Sequence, residues 1–315
     1  MKIENINQVI VGDAVSVLNH IPNESIDLTV TSPPYDNLRT YNGKVKENVV
    51  YEDGFSFPFV EMARELYRVT KKGGVVVWIV NDQVKNGSET GSSFKQALKF
   101  KEVGFNLHDT MIYMKNGSPY PDSKRYSQVF EFMFIFSKGK PKTINILKDK
   151  PNKWAGTQPF GTPTKRLKDG TLKKGKKYIV GEFGSRTNVW EVKTGKGYST
   201  KDSVAFEHPA IFPESLAEDH ILTWSNPGDV VLDPMAGSGT TLKMAKLNNR
   251  HFIGIDINKE YVDICNKRIS NVTPYTEENP NPKCKYIVRK GEAKSNFDLF
   301  ITHHNFLNYR IKLAC

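Results

Sequence analysis

One segment limits the fold more than any other: VVLDPMAGSGTTLKMAK, Val230 to Lys246. An apolar, β-branched run ends in Asp233-Pro234, turns through Gly237 and Gly239, and continues in helix-forming residues. Glycines there let the backbone turn sharply and let a ligand come close. A second apolar run, FIGIDI, follows, and its Asp256 lies 19 residues past Gly237. Strand, glycine turn, helix and acid-ended strand together describe half of a nucleotide-binding α/β fold.

The rest of the chain continues the alternation. NQVIVGDAVSVLNHIP reads as a strand over Val9 to Val11 and a helix with Ala14, Val17, Leu18 and Ile21 on one face. SIDLTVT is a strand. FPFVEMARELYRVTKKGG places Phe59, Met62, Ala63, Leu66 and Tyr67 at helical spacing, with Gly73-Gly74 as its stop. VVVWIV, Val75 to Val80, has the composition of a strand buried on both faces. SSFKQALKFKEVGF is a helix. DTMIYMK and SQVFEFMFIFSKG are strands with no long helix between them, hence antiparallel neighbours. From about Ser203 the pattern resumes: PESLAEDHILTWS, beginning near Pro213-Glu214, and NKEYVDICNKRISN read as helices. The expectation is an α/β fold with a mainly parallel sheet.

Charge separates the middle from the rest. The chain carries a net +11, and between Lys138 and Lys196 sixteen basic residues face four acids, an excess larger than that of the whole chain. A basic segment on a near-neutral body reads as a polyanion-binding surface; a solvated loop region is the competing reading. This stretch lacks periodicity and has scattered aromatics, among them Trp154 and Trp190, which can stack on bases or simply pack. No apolar run approaches the roughly 18 residues of a membrane span, and the first residues lack the apolar core of a signal peptide. Cys265, Cys284 and Cys315 show no paired spacing, which points to a reducing cytoplasm and to no metal cluster.

The glycine turn is neither a P-loop nor a regular G-x-G-x-x-G. Asp233-Pro234 at the strand end suits a ligand with a positively charged amino-acid end, as S-adenosylmethionine has, and Asp256 suits its ribose hydroxyls. An ordinary tight strand-helix turn is the alternative.

A second motif, TSPPY, Thr31 to Tyr35, ends the SIDLTVT strand in a stiff corner. TSPPY together with DPMAGSGTT resembles the DNA amino-methyltransferases, whose catalytic motif is [DNS]-PP-[YF]. Here Met235 stands where that family usually has Phe. The catalytic motif comes first, the basic region next and the cofactor motif last, which is the order of the circularly permuted β subgroup. ELYRVTKKGGVVVWIV and HPAIFPESLAEDHI are similar to further family segments.

The resemblance implies a Rossmann-like S-adenosylmethionine-dependent methyltransferase fold with an irregular inserted target-recognition region. Residues 1–139 would form the catalytic half and 140–200 the recognition region. Residues 201–272 would form the cofactor half and 273–315 an extension without assigned role. It implies double-stranded DNA as substrate and a restriction endonuclease acting on the same site as partner. Monomer and homodimer both stay open.

The chemistry explains the corner. An exocyclic base amine is a poor nucleophile, and acceptors for its two N–H bonds push the nitrogen toward tetrahedral geometry. Ser32 can accept through its hydroxyl and Pro33 through its carbonyl, held by the Pro33-Pro34 pair, while Tyr35 can stack on a base that has left the duplex. In the resembling family serine before Pro-Pro is commoner in cytosine-N4 enzymes, so N4 is favoured over adenine-N6. Attack at cytosine carbon 5 needs a thiolate following a proline, and no cysteine here follows one. Cofactor contacts are expected from Asp233, Pro234, Gly237, Ser238, Gly239, Thr240 and Asp256. The resemblance adds Asp13 beside the adenine, with helix capping as its alternative. It also adds Phe212 and Pro213, with apolar core as the alternative for Phe212. A nucleotide-dependent oxidoreductase and an inactive nucleic-acid binder are the readings from other classes; neither gives TSPPY a role.

Overall fold

The computed structural model describes residues 6–33, 52, 55–117 and 124–289. Eight strands form the central sheet: β1 (Gln8–Val11), β2 (Ile26–Thr31), β3 (Thr70–Val80), β4 (Asn106–Lys115), β5 (Phe130–Ser137), β6 (Val189–Val192), β7 (Val230–Asp233) and β8 (His251–Asp256). Their spatial order is β1-β8-β7-β2-β3-β5-β4-β6. Only β5 runs antiparallel to its neighbours β3 and β4; every other pairing is parallel. The antiparallel relation expected for the DTMIYMK and SQVFEFMFIFS strands is present.

Side-chain alternation along β3 sets the two cores. Val75, Val77 and Ile79 point to one face, where they join Leu216, Ile221, Leu242, Cys265 and Ile269. Val76, Trp78 and Val80 point to the other, among Leu18, Phe59, Leu66 and Phe100. A period of two is what a strand imposes, and full burial of such side chains stabilises by about 1.5–3 kcal/mol each. The first face is covered by α4 (Glu214–Trp224), α5 (Thr240–Leu247) and α6 (Lys259–Ser270). The second is covered by α1 (Ala14–Leu18), α2 (Phe59–Val69) and α3 (Ser92–Val103).

The α2 helix stops four residues before the glycines expected to end it. Thr70 is already extended, its hydroxyl donating to the Leu66 carbonyl at 2.6 Å, and β3 begins there. Gly73 and Gly74 lie inside the strand instead. Gly73 takes φ +81, and a Cβ on Gly74 would sit 2.7 Å from the Thr70 methyl and 3.0 Å from two carbonyl oxygens.

The basic middle contains short ribbons. Lys150–Pro151 pairs with Phe183–Gly184, and Thr164–Arg166 pairs with Leu172–Lys174. Its last part, β6, is the edge strand of the central sheet, and Trp190 on it is buried with its ring stacked on His220 at 4.7 Å. Trp190 therefore packs, whereas Trp154 is exposed. The extension after residue 272 also touches the body. Ile287–Arg289 pairs antiparallel with Asn145–Leu147, and Lys283 reaches Asp219 and Glu218 on α4. Among the described residues no helix is long and apolar enough to cross a membrane.

Thirteen of the sixteen basic residues are exposed. Lys138 is not free for phosphate, since its ammonium donates to the carbonyls of Tyr67 and Thr70. Nor is Arg186, which pairs with both carboxylate oxygens of Asp149 and with Asp219 at 2.6 Å and lies 5.2 Å from the Trp190 ring. A basic count from sequence cannot distinguish these two from surface charge.

Candidate active site

Strands β2 and β7 lie side by side and parallel, with Leu28 opposite Val231 and Thr29 opposite Leu232. The Ser-Pro corner and the glycine turn therefore leave the sheet at the same edge. The hydroxyl of buried Thr31 donates to Asp233 Oδ1 at 2.7 Å, and the Met235 amide donates to the same oxygen at 3.2 Å. Ser32 follows directly, half-buried, and Pro33 is buried; Pro34 and Tyr35 lie outside the described residues. Asp233 is 1 % exposed, and burial pushes its carboxyl up to about 6 against the hydrogen bonds that favour its charge.

The turn after Asp233 and buried Pro234 is braced from three sides. Gly237 and Gly239 take φ +51 and +77. Asp256 accepts from the Gly237 amide at 2.8 Å and from the Asn258 amide at 2.9 Å, and burial holds its carboxyl above the usual range. The Cys265 thiol donates to the Gly237 carbonyl at 3.0 Å. A Cβ on Gly237 would lie 3.0 Å from His208 Nε2, and one on Gly239 would lie 2.8 Å from Cys265 Sγ. The protein's own side chains thus fill the space these glycines leave open. Burial also pushes the Cys265 thiol well up, so it is not poised as a thiolate.

The third brace is Arg268, on α6 and 1 % exposed. Its guanidinium donates to the Ser238 carbonyl, to Ser238 Oγ at 3.1 Å and to Thr240 Oγ1 at 3.3 Å. It also donates to Asp202 at 2.9 Å and to Glu214 at 2.8 Å. Glu214 Oε1 accepts besides from Thr200 at 2.6 Å and from Lys243 at 2.7 Å. The buried cation is satisfied by two carboxylates and a fixed carbonyl, and Lys243, which reaches Glu214 at 2.7 Å and Asp202 at 3.7 Å, shares both carboxylates with it.

The remaining expected residues are close to this edge of the sheet or to its supports. Asp13 follows β1 and caps α1, accepting from the Ser16 amide at 2.9 Å, which is its structural reading. Pro213 is the N-cap residue of α4, and Phe212 packs against the core on the α4 face. Ser32, Asp233, Gly237 and Asp256 are joined through Thr31 and the turn, while Asp13 meets them only through neighbouring backbone, the Gly12 amide donating to the Asp256 carbonyl at 2.9 Å. Thr31, His208 and Arg268 were not singled out by sequence. Thr31 and His208 stand inside quoted motifs, so a closer reading had a signal for them; Arg268 stands in a plain helical segment and had none.

Fold and edge define an α/β scaffold with a braced glycine turn beside a Ser-Pro corner. A protein-family model for N6/N4 methyltransferases, described as DNA methylase, matches residues 26–267, and the chain belongs to that family. It is 59% identical over 248 residues to the orphan methyltransferase M.BamHII of Bacillus amyloliquefaciens, covering 78% of this chain and 89% of that one. In fold it is similar to the PvuII DNA methyltransferase (cytosine-N4-specific), with TM-score 0.57, 20% identity, and 85% and 92% of the two chains covered. It is also similar to the M1.HpyAVI-SAM complex, with TM-score 0.51, 22% identity, and 83% and 98% covered.

Proposed function

We propose that this chain is a site-specific DNA methyltransferase that transfers a methyl group from S-adenosylmethionine to the N4 amine of a flipped cytosine. The observation that carries it is the Thr31–Asp233 hydrogen bond, which ties the Ser-Pro corner to the glycine turn on adjacent strands. The residues fit the cofactor. Asp233 is a buried carboxylate with a raised pKa, an environment that gains from a cationic amino group, and Asp256 ends the neighbouring strand as a ribose partner does. Pro234, Gly237, Ser238, Gly239 and Thr240 would form the cradle, with Asp13, Phe212 and Pro213 at its margins.

S-adenosylmethionine supplies the methyl group when bound. Ser32 Oγ and the Pro33 carbonyl accept the two N–H bonds of the exocyclic amine, and proline stiffness keeps that carbonyl aimed with little reorganisation. Both acceptors would serve adenine N6 as well, so the preference for cytosine rests on the serine before Pro-Pro. The basic segment 140–200 would hold the duplex, mostly through phosphate contacts. A cognate restriction endonuclease belongs to this reading; a solitary enzyme is the second, favoured by the name orphan methyltransferase of the 59%-identical relative.

The test is nucleoside mass spectrometry on DNA from an unmethylated host expressing the chain. N4-methylcytosine is expected. N6-methyladenine would overturn the base assignment and keep the amine chemistry; neither product would overturn the DNA reading.

A further inference from the structure

We infer that the ribbon 163–175 is the element that enters the major groove of the substrate duplex; this rests on the DNA reading above. Its backbone is a closed two-stranded ribbon. Thr164, Lys165 and Arg166 face Lys174, Lys173 and Leu172, the Gly175 amide donates to the Pro163 carbonyl at 2.6 Å, and the Leu167 amide donates to the Thr171 carbonyl at 2.8 Å. A three-residue loop closes it, with Gly170 in the left-handed region at φ +86 and its amide donating to the Leu167 carbonyl at 3.0 Å. Five paired levels span about 13 Å at ~3.3 Å per residue. A B-form major groove is about 12 Å wide and 8.5 Å deep and admits a two-stranded ribbon.

Three observations point to an anionic groove. All six strand residues and the loop are exposed, so the ribbon projects from the body. Lys165 and Lys173 are directly opposite each other, and among the described residues neither has an ion-pair partner. Like charges so placed destabilise a ribbon, and a polyanion between or beside them relieves the repulsion. The tip presents Lys168 next to Asp169, the latter fixed by bonds from the Thr171 amide at 2.9 Å and hydroxyl at 2.7 Å. Lysine donates to guanine O6 and N7, and a carboxylate accepts from cytosine N4, so the tip holds both kinds of base-reading group on a rigid turn.

The experiment uses the full chain and two variants. With Lys165→Gln/Lys173→Gln, DNA affinity is measured as a function of salt, alongside S-adenosylmethionine affinity. Loss of two phosphate contacts should flatten the log–log slope by about 1.8, with cofactor affinity unchanged; an unchanged slope overturns the inference. With Lys168→Ala/Asp169→Ala, the methylated motif is mapped by sequencing. A relaxed motif supports groove reading by the tip, and an unaltered motif at unaltered rate overturns it. If the wild-type chain itself neither binds nor methylates DNA, the underlying function fails instead, and the two failures are distinct.

Discussion

Replacing Asp233 with Asn should make the cofactor-free protein more stable and the enzyme worse. Asp233 is 1 % exposed, and its carboxyl is raised from 3.8 to about 6, chiefly by burial. The folded state therefore holds this proton more tightly than the unfolded chain. Its contribution is fully present below pH 4 and is lost as pH rises through about 6. At about 1.4 kcal/mol per unit, the charged carboxylate lowers stability by about 3 kcal/mol above pH 6 relative to its neutral form. Asn keeps the carbonyl oxygen that accepts from Thr31 and Met235 and removes the charge. Urea unfolding from pH 4 to 8 should show the variant ahead of wild type by up to about 3 kcal/mol above pH 6, with the gap closing toward pH 4. Asp229 also has a raised pKa, but it titrates in both proteins and cancels in the difference; Asp256 repels the Asp233 carboxylate, and relief of that repulsion is part of the gap. Calorimetric titration should show weaker S-adenosylmethionine binding by the variant. A gap that does not narrow with falling pH, or a variant less stable than wild type at pH 8, would refute the idea of a costly buried charge.

Three further outcomes are expected. Ser32→Ala should lower kcat about 10²–10³-fold with cofactor Kd within about twofold; equal losses in both would contradict its role at the amine. Arg268→Gln takes a buried cation away from Asp202 and Glu214, which keep Lys243, and should cost about 1.5–3 kcal/mol in urea unfolding; a loss under about 0.5 kcal/mol would show that the network is not held through Arg268. Cys265→Ala should keep the methyl-transfer rate within a few-fold while lowering Tm, because the thiol packs against Gly239 and bonds the Gly237 carbonyl; abolished transfer in a folded variant would reopen a covalent route.

The sheet was legible because its strands are apolar runs punctuated by Pro and Gly, and TSPPY and DPMAGSGTT mark where two of them end. Their adjacency was not, since strand order is set by packing across more than two hundred residues, as between Thr31 and Asp233. The end of α2 was misplaced because a threonine closes it through its hydroxyl before the more conspicuous glycines are reached. Lys138 and Arg186 were read as surface charge because composition is blind to burial. Arg268 was missed for a related reason: a lysine- and arginine-containing helix looks the same whether its cation points to water or to the Ser238 carbonyl. The extension beyond 272 carried no assigned role, yet Ile287–Arg289 gains a partner strand distant in sequence.

The position of β1 has a consequence for biosynthesis. Among the described residues this strand pairs only with β8, Val11 lying opposite Asp256. On a ribosome adding about 5–20 residues per second, β1 waits roughly 12–50 s for its partner. Strands β2 to β5 can meet much sooner, leaving β2 with one unpaired edge until β7 emerges. Nascent chains stalled between residues 140 and 230 would then present an apolar strand edge, the kind of template that recruits other chains.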